Sequence, residues 1–309
     1  MHLPDGPIKQ ITQSYASLNI MSHSYFRLIL AFVAINVFVV SIFAEEKPLA
    51  VMKAEYSVLA KSHLTSDGDT VMTENDFVLQ IAPGYSCYYS PRTYYVDSLQ
   101  HDPAGQLVYD RISREAMEAF MTSGKNYFES MKAQGLFKES STFDVKDFGA
   151  STIFVWDSTG GDRHHYKVEM SDLVWEIGDS TCNILGYECV LATTDYHGRK
   201  WQAWFAPEIP VQDGPWQFCG LPGLIMDAES TDGLFSFRIK GLNHCSEPLK
   251  SVFDPDKYFL SKREPFLKIT DHSRRNRSSS IKALTGGRIN PQTDNTVYFD
   301  LIETDYRSQ

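Results

Sequence analysis

The sequence predicts a mainly β (α+β) protein with a curved antiparallel sheet, which forms a half-barrel or open barrel with a few covering helices. Short apolar segments alternate with turn signals along most of the 309 residues, and only the middle of the chain shows extended helical spacing. Short links join strands in antiparallel order, because parallel pairs need long crossovers. About ten strands in one sheet must curl or close, which favours the half-barrel.

The N-terminal part of this sheet is the easiest to assign. Apolar and polar residues alternate from Ala50 to Lys61, which is typical of a strand with one buried face. After a turn at residues 66–69, residues 77–81 form a second apolar run that ends at a Pro-Gly pair. We predict two strands here and expect residues 86–90 to extend the sheet.

The middle of the chain predicts one or two helices. Apolar residues recur at near-helical spacing from Arg111 to Ala133. Ser123 and Gly124 interrupt this pattern, and Gly135 ends it. These helices would cover the sheet.

The C-terminal half returns to strands. We predict strands at residues 152–156, 164–170, 173–177, 184–193, 199–205, 224–229 and 234–240. A helix candidate begins near Asp254 and Pro255, a capping residue followed by proline. Residues 278–295 predict a polar, mobile loop, and residues 297–303 predict a last strand or an extended tail.

The most distinctive stretch is a hexapeptide made of Gly220, Leu221, Pro222, Gly223, Leu224 and Ile225. Pro222 fixes φ at about −65°. Gly223 accepts a positive φ, so we predict a type II turn. Gly220 would let another backbone segment approach closely. Just upstream, Trp216 and Phe218 predict either a rigid corner that fills the core or an aromatic lip that faces a ligand.

A longer pattern precedes the hexapeptide. It consists of Arg199, Trp204, Phe205, Glu208, Ile209, Pro210, Gly214, Pro215 and Trp216 in that order. The arrangement resembles the GLPGLI family, exported bacterial proteins whose activity is not established. The resemblance implies one β-rich domain over residues 45–309. It also implies a location in the periplasm or outer cell envelope of a Gram-negative bacterium, and it supplies no accepted catalytic residues.

The N-terminus predicts an export signal over residues 1–44. An almost unbroken apolar run extends from Leu28 to Phe43, with Arg27 just before it. This length fits the core of a signal peptide better than a membrane span. Met21 would begin a leader of conventional length, so our hypothesis is that translation starts there. An uncleaved membrane anchor is the alternative.

The charge of the chain argues against polyanionic partners. Without residues 1–44 the net charge changes from −10 to −11, because Lys9, Arg27 and Asp5 are removed. An acidic exported domain has no electrostatic reason to bind nucleic acid or anionic lipid. We therefore expect no nucleic-acid partner, and membrane contact only through the export signal.

Patterns that would mark an enzyme are missing or weak. The sequence has no GxSxG elbow, no HExxH and no Walker loop. His164 and His165 form the best metal-like cluster, but neighbours on a strand point to opposite faces and cannot readily share an ion. We expect no catalytic residue, no cofactor and no metal site, and we favour a non-enzyme.

Five cysteines lie within residues 45–309. An oxidising compartment permits disulfides, and an odd number leaves at least one thiol unpaired in a monomer. Cys182 and Cys189 flank a turn at Gly186 and could bridge a hairpin.

Arg199 is the polar residue of greatest interest, because it starts a predicted strand amid aromatic residues. A buried guanidinium needs a carboxylate partner, and Glu188 and Glu208 are the candidates. The position is consistent with a buried ion pair that fixes the sheet and with a fork that binds a ligand carboxylate.

Three functions stay open at this point. The first is an exported, non-enzymatic binding or carrier module, with an apolar pocket in the sheet for an unknown hydrophobic small molecule or peptide. Its pocket would be lined by Tyr56, Val58, Phe77, Trp204, Trp216, Phe218 and Leu221. The second is a structural or accessory subunit of a cell-envelope assembly near an outer-membrane transporter, with an outer-membrane protein as partner and no cavity. The third is a hydrolase or metal-handling protein, which needs convergent titratable groups.

Overall fold

The computed structural model describes residues 47–65, 67–276 and 297–307. Within that part, thirteen strands form one sheet. The strands are β1 Leu49–Leu64, β2 Thr70–Ala82, β3 Tyr85–Tyr89, β4 Phe143–Asp147, β5 Thr152–Thr159, β6 Asp162–Glu169, β7 Glu176–Ile184, β8 Tyr187–Tyr196, β9 Arg199–Ala206, β10 Leu224–Ser230, β11 Phe235–Pro248, β12 Phe259–Leu260 and β13 Val297–Tyr298. The described helices are α1 Pro91–His101, α2 Pro103–Ser123, α3 Tyr127–Ala133 and α4 Arg263–Arg275.

The sheet is open and almost entirely antiparallel. Its strand order is β12-β6-β5-β4-β3-β2-β1-β11-β10-β9-β8-β7, with β13 added to β1. Only β12 and β6 pair in parallel among the described strands. The prediction of an unclosed antiparallel sheet with a few helices is confirmed. No described helix is long and apolar enough to span a membrane. The predicted export signal and the predicted loop at 278–295 lie outside the described residues.

The helical region begins earlier than predicted. Ser90 caps α1 by accepting from the backbone N–H of Thr93, and Pro91 occupies the first turn. This start signal is visible in the sequence but was missed. Helix α2 ends as predicted, because Gly124 takes a left-handed conformation with φ 67°.

Two C-terminal predictions need correction. Residues 255–257 form only a single 3-10 turn, and helix α4 begins later, at Arg263. The last strand is limited to Val297–Tyr298; residues 299–304 continue without strand pairing, and residues 305–307 form a 3-10 turn. We call residues 299–307 the C-terminal strap. The strand β4 was not predicted, because its buried face carries Asp144 and Lys146.

One side of the sheet, which we call the covered face, carries Leu79, Tyr88, Val155, Tyr166 and Trp201. The loop of residues 207–223 between β9 and β10, called the motif loop, packs on it through aromatic residues. Helix α4 and the strap pack on its other end, beside β5 and β6. The interior of the open sheet is therefore occupied by the chain's own segments.

Candidate functional site

The motif loop fills the covered face with aromatic rings. Trp216 is 5% exposed and Phe218 is fully buried. Their ring centroids are 5.0 Å apart in an edge-to-face arrangement, and Phe218 meets Trp201 at 4.9 Å in the same geometry. Leu221, Leu224 and Ile225 are also buried in this cluster. Of the two predicted roles for this segment, the geometry fits the core-filling corner.

A buried ammonium group holds the motif loop to β4. Lys146 Nζ donates hydrogen bonds to Asp213 Oδ1 at 2.6 Å and to the carbonyl oxygens of Gly214 at 2.7 Å and Phe218 at 2.8 Å. The side chains of Lys146 and Asp213 are 1% and 0% exposed. All three ammonium donors are used, so the charge is buried with its hydrogen bonds complete.

The two glycines of the hexapeptide exchange their predicted roles. Gly220 has φ +89° and lies on the surface, whereas Gly223 does not have a positive φ. A Cβ on Gly223 would lie 2.6 Å from the carbonyl carbon of Ala206, so Gly223 is the position of close backbone approach. The amide of Gly223 donates to the Leu221 carbonyl at 2.8 Å across the exposed Pro222. This three-residue turn replaces the predicted type II turn.

Trp204 lies away from the other aromatic residues of the proposed pocket. Strand β9 alternates, so Trp201 and Phe205 face the motif loop and the half-buried Trp204 faces the opposite side. Tyr56 is fully buried and its hydroxyl donates to the Ile225 carbonyl at 2.7 Å. Val58 and Phe77 pack against the same cluster. The residues expected to line one apolar pocket therefore either pack on each other or lie on another face.

A groove of about 440 Å³ lies beside β7, β8 and β9, and most of the side chains that line it are polar, with Val174 and Trp201 as the apolar ones. Its lining includes Glu176, Thr193, Asp195, Lys200 and Gln202. Hydroxyl, amide and charged groups of this kind do not suit the apolar ligand that the carrier hypothesis requires.

Arg199 is buried, but its partners are not the predicted ones. Its Nη1 donates to Asp232, and neither Glu188 nor Glu208 contacts it. Its Nε and Nη2 donate to the strap carbonyl oxygens of Ile302 at 2.9 Å and Leu301 at 2.7 Å. The carboxylate that pairs with Arg199 is that of Asp232, in the turn after β10, and the strap backbone provides the other acceptors.

Beside Arg199, the strap carboxylates meet a second arginine. Arg263, at the start of α4, donates from Nε to Glu303 and from both terminal nitrogens to Asp305 at 2.6 and 3.0 Å. Glu303 is 2% exposed and also accepts from Gln217 Nε2 at 3.3 Å. Gln217 belongs to the motif loop, so this network joins the motif loop, α4 and the strap.

His197 lies inside the same network. Its Nε2 is 3.0 Å from Gln217 Oε1, and its Nδ1 is 3.5 Å from Asp305 Oδ2. Burial, assisted by the nearby charge of Arg263, lowers the pKa of His197 to about 4. The imidazole is therefore neutral near pH 7.

The two strap carboxyls differ in their pKa. Burial raises the pKa of Glu303, although Arg263 opposes the effect. For Asp305, burial acts in the same upward direction, but the hydrogen bonds from Arg263 outweigh it and lower the pKa. The bidentate pair with Arg263 explains why Asp305 is the better stabilised anion.

His197, Glu303 and Asp305 place one potential metal ligand each within 4.8 Å of one another. Such a set is chemically suited to a divalent cation. However, Arg263 already donates to both carboxylates, so a metal ion would compete with a guanidinium for the same oxygens. The arrangement fits an arginine-clamped anion pair better than a metal centre.

Backbone geometry also concentrates at this network. His197 and Trp216 have φ values of 52° and 51°, which are uncommon for residues with large side chains. Gly198 has φ +80°, and a Cβ there would lie 2.7 Å from the amide nitrogen of Asp305. The turn between β8 and β9 is thus shaped to let the strap approach closely.

Several buried polar atoms near Lys146 have no hydrogen-bond partner among the described protein groups. They are Ser86 Oγ, the Tyr88 hydroxyl, both oxygens of Asp144 and Asp213 Oδ2. Burial raises the pKa of Asp144 well above its usual range, with Lys146 opposing. Buried polar atoms of this kind are generally satisfied by internal water.

Cys182 and Cys189 are directly opposite each other in the β7–β8 hairpin. Leu185 and Gly186 form its turn, both with positive φ. Both thiols are reduced in this structure. The register agrees with the predicted bridge, which stays a prediction.

A family model described as "Protein of unknown function (Porph_ging)" matches residues 196–227. This stretch begins at Tyr196 and contains His197, Arg199, the motif loop and the hexapeptide. The match covers only a small part of the chain, and the GLPGLI assignment stays an expectation. A search of curated proteins finds no match.

Among solved structures, the chain is similar to PNGF-II in two crystal forms. In the P21 form the identity is 9% and the TM-score 0.44, over 72% of this chain and 34% of that chain. In the C2 form the identity is 8% and the TM-score 0.40, over 69% and 31%. The chain therefore spans about a third of the length of these structures, and likenesses this low carry no argument about function.

Sequence reasoning missed the charged members of the network. Lys146, Arg263, Glu303 and Asp305 come from separate parts of the chain, and no local pattern links them. A weak signal existed for the strap, where acidic residues alternate with less polar ones from 301 to 305. It could indicate an extended segment, but not its partner.

Proposed function

We propose that the protein is an exported, non-enzymatic module that serves as a structural or accessory subunit of a cell-envelope assembly near an outer-membrane transporter. The observation that carries this proposal is the filled covered face, where Trp216, Phe218 and Leu221 occupy the space that a carrier would keep for its ligand. A protein that uses its interior for its own packing must act through its surface.

The alternative carrier function is less well supported. Most of its expected pocket residues are buried against one another in one cluster, and close-packed interiors do not admit a lipid-sized guest without rearrangement. The hydrolase or metal-handling function has one supporting cluster, at His197, but Arg263 neutralises the carboxylates there.

An exposed apolar ridge supports action through the surface. Leu107, Met117 and Met121 lie on one side of α2 and are 72%, 46% and 74% exposed. Contiguous apolar patches on a protein surface often mark sites of contact with another protein. We name these three residues the α2 ridge and expect it to contact the partner chain.

Native mass spectrometry of protein purified from its own envelope tests the proposal. We expect a partner chain at fixed stoichiometry and loss of that partner from a Met121→Glu variant. Glu115→Gln, at an exposed position of the same helix outside the ridge, should keep the partner. A retained lipid-like molecule with no partner chain would support the carrier function instead.

An apolar fluorescent probe offers an independent test of the filled interior. The wild-type protein should not bind the probe in the micromolar range, whereas Trp216→Ala, which opens a cavity, should bind it. Saturable micromolar binding by the wild type would contradict the proposal.

A further inference from the structure

The C-terminal strap lies in a groove that other segments build. We propose that this strap groove, defined by His197, Arg199 and Arg263, is a docking site for an acidic segment of a partner chain, and that the strap occupies it in cis. The inference rests on the proposed function, because it assumes that the protein acts through contacts with other chains.

The strap is bound in the way that peptides are bound by receptors. Arg199 side-chain nitrogens donate to the carbonyl oxygens of Leu301 and Ile302, and the amide of Thr304 donates to the His197 carbonyl at 2.9 Å. The Thr304 hydroxyl donates to the Gly198 carbonyl at 3.0 Å. The backbone of residues 301–304 is thus bound by fixed donors and acceptors, without strand pairing.

The groove has supports that do not involve the strap. Asp232 holds Arg199, whose guanidinium also lies 5.0 Å from the ring centroid of Phe235. The rings of His197 and Tyr196 are in contact, with centroids 3.7 Å apart and planes tilted by 32°. A preformed site of this kind lowers the ordering cost of binding a segment.

The contacts define the chemistry of the occupant. Leu301 and Tyr306 are 9% and 5% exposed and join the apolar cluster beneath α4. Glu303 and Asp305, two residues apart, both reach Arg263. The groove therefore selects the pattern Leu-x-Glu-x-Asp-Tyr, in which the Leu and Tyr side chains are buried and the two carboxylates between them pair with Arg263.

The strap is joined to α4 only through residues 277–296 along the chain. A tethered segment of this type has an effective concentration on the order of millimolar. A partner segment can displace the strap only if it binds more tightly or if a second contact holds the partner nearby. The tethered strap therefore competes with any partner segment and lowers its apparent affinity for the groove.

Strap exchange in a nicked chain tests this inference. A protease site is inserted within residues 278–295 of the full chain, which is then cleaved. A fluorescent peptide of residues 297–309 is added in excess, and its binding is followed by anisotropy. We expect the severed strap to remain bound after cleavage and to exchange with the labelled peptide while the protein stays folded, as monitored by near-UV circular dichroism.

Variants of the peptide and of the protein test whether the exchange is specific. A peptide with Glu303→Gln and Asp305→Asn should bind at least about tenfold more weakly, because charge-assisted hydrogen bonds are lost. On the protein side, Arg263→Gln should weaken binding to a similar extent. Arg238→Gln is the matched control, since Arg238 is an exposed arginine outside the groove, and should change binding less than about twofold.

A second peptide separates recognition of the pattern from refolding of the native tail. It keeps Leu-x-Glu-x-Asp-Tyr with unrelated residues between, and a scrambled version serves as its control. Binding of the pattern peptide, at least tenfold tighter than the scramble, supports the docking site.

Three results would overturn the inference: a severed strap that never exchanges, unfolding on its release, or exchange that ignores Arg263→Gln. Any of these leaves the proposed function standing if native mass spectrometry still finds a partner chain. Conversely, exchange can succeed while the apolar probe binds the wild type, in which case the proposed function fails alone.

Discussion

The motif loop and the C-terminal strap cover the same face of the sheet by different physical means. Aromatic packing around Trp216 and one buried ammonium group hold the loop. Arginine–carboxylate pairs and backbone hydrogen bonds hold the strap, in which Leu301, Glu303 and Tyr306 are buried. The motif loop is thus held mainly by apolar burial, whereas the contacts of the strap depend on the charges of Arg263, Glu303 and Asp305.

This difference separates a permanent part of the fold from an adjustable one. Apolar burial is insensitive to pH and salt, whereas ionised pairs respond to both. We therefore expect substitutions at the loop to change global stability, and changes in pH to act mainly on the strap.

The largest expected effect comes from Lys146→Met. The change removes three hydrogen bonds and leaves the carboxylate of Asp213 buried without its counter-charge. Breaking a buried pair in this way costs about 3–5 kcal/mol in the free energy of unfolding. Denaturant titration measures it. The control Lys200→Met removes a pair more than 70% exposed and should change stability by less than about 1 kcal/mol. Equal effects would show that Lys146 does not hold the loop.

The two hexapeptide glycines provide the next comparison. Gly223→Ala drives a methyl group into the backbone of Ala206 and should cost about 3 kcal/mol, at the upper end of overpacking effects. Gly220→Ala meets no neighbour and should cost only about 1 kcal/mol for its positive φ. Thermal unfolding of both variants measures the order. If Gly220→Ala cost more than Gly223→Ala, the close backbone approach would lie at Gly220, as the sequence predicted, and not at Gly223.

The Cys182–Cys189 bridge is expected to form in an oxidising compartment. Closing a loop of this size stabilises the fold by about 2.5 kcal/mol in the chain-entropy model. Intact-mass analysis after alkylation under unfolding, non-reducing conditions should show three alkylated thiols, since two of the five cysteines are bonded. The Cys182→Ser variant should lose the added stability. Five alkylated thiols in protein from the envelope would exclude the bridge.

The smallest effect is a pH dependence at the strap. The folded pKa of His197, about 4, lies below its ordinary value of 6.5, so the unfolded state binds the proton more readily. Stability is complete above about pH 6.5 and falls as the pH decreases toward 4, with a loss of about 2 kcal/mol at pH 5.

A matched variant isolates this contribution from the other carboxyls. Asp305 has a lowered pKa and changes stability in the same direction, whereas Glu303 has a raised pKa and opposes it. His197→Asn keeps a residue that tolerates positive φ and removes the titration. The wild type should lose more stability than the variant between pH 7 and pH 5. Parallel curves would mean that His197 titrates normally.

The sheet was largely predictable because alternation is a local property. β1 matches the predicted alternation from Met52 onward, with Ala54 and Tyr56 fully buried on one face, whereas a register shift between Ala50 and Met52 places Ala50 in a different apolar cluster. β4 escaped prediction because Asp144 and Lys146 occupy its buried face, which reverses the usual pattern. For Lys146, distant partners in the motif loop make that reversal tolerable.

The candidate site was predictable only in part. Arg199 was expected to be buried and paired, and it is, but with Asp232 and strap carbonyl oxygens in place of Glu188 or Glu208. The aromatic residues were identified, yet their placement on a filled face was not. Partner choice depends on which segments meet in space, and spacing along the chain carries little of that information.

The sequence by itself determined the antiparallel architecture, the hairpin turns and the apolar character of the motif loop, because alternation and turn chemistry act over a few residues. Tertiary structure alone decided that Lys146 holds the motif loop, that Gly223 and not Gly220 meets the backbone of Ala206, and that Arg263 clamps the strap. These contacts join residues far apart in the chain. Burial makes them strong, and burial is a property of the assembled fold.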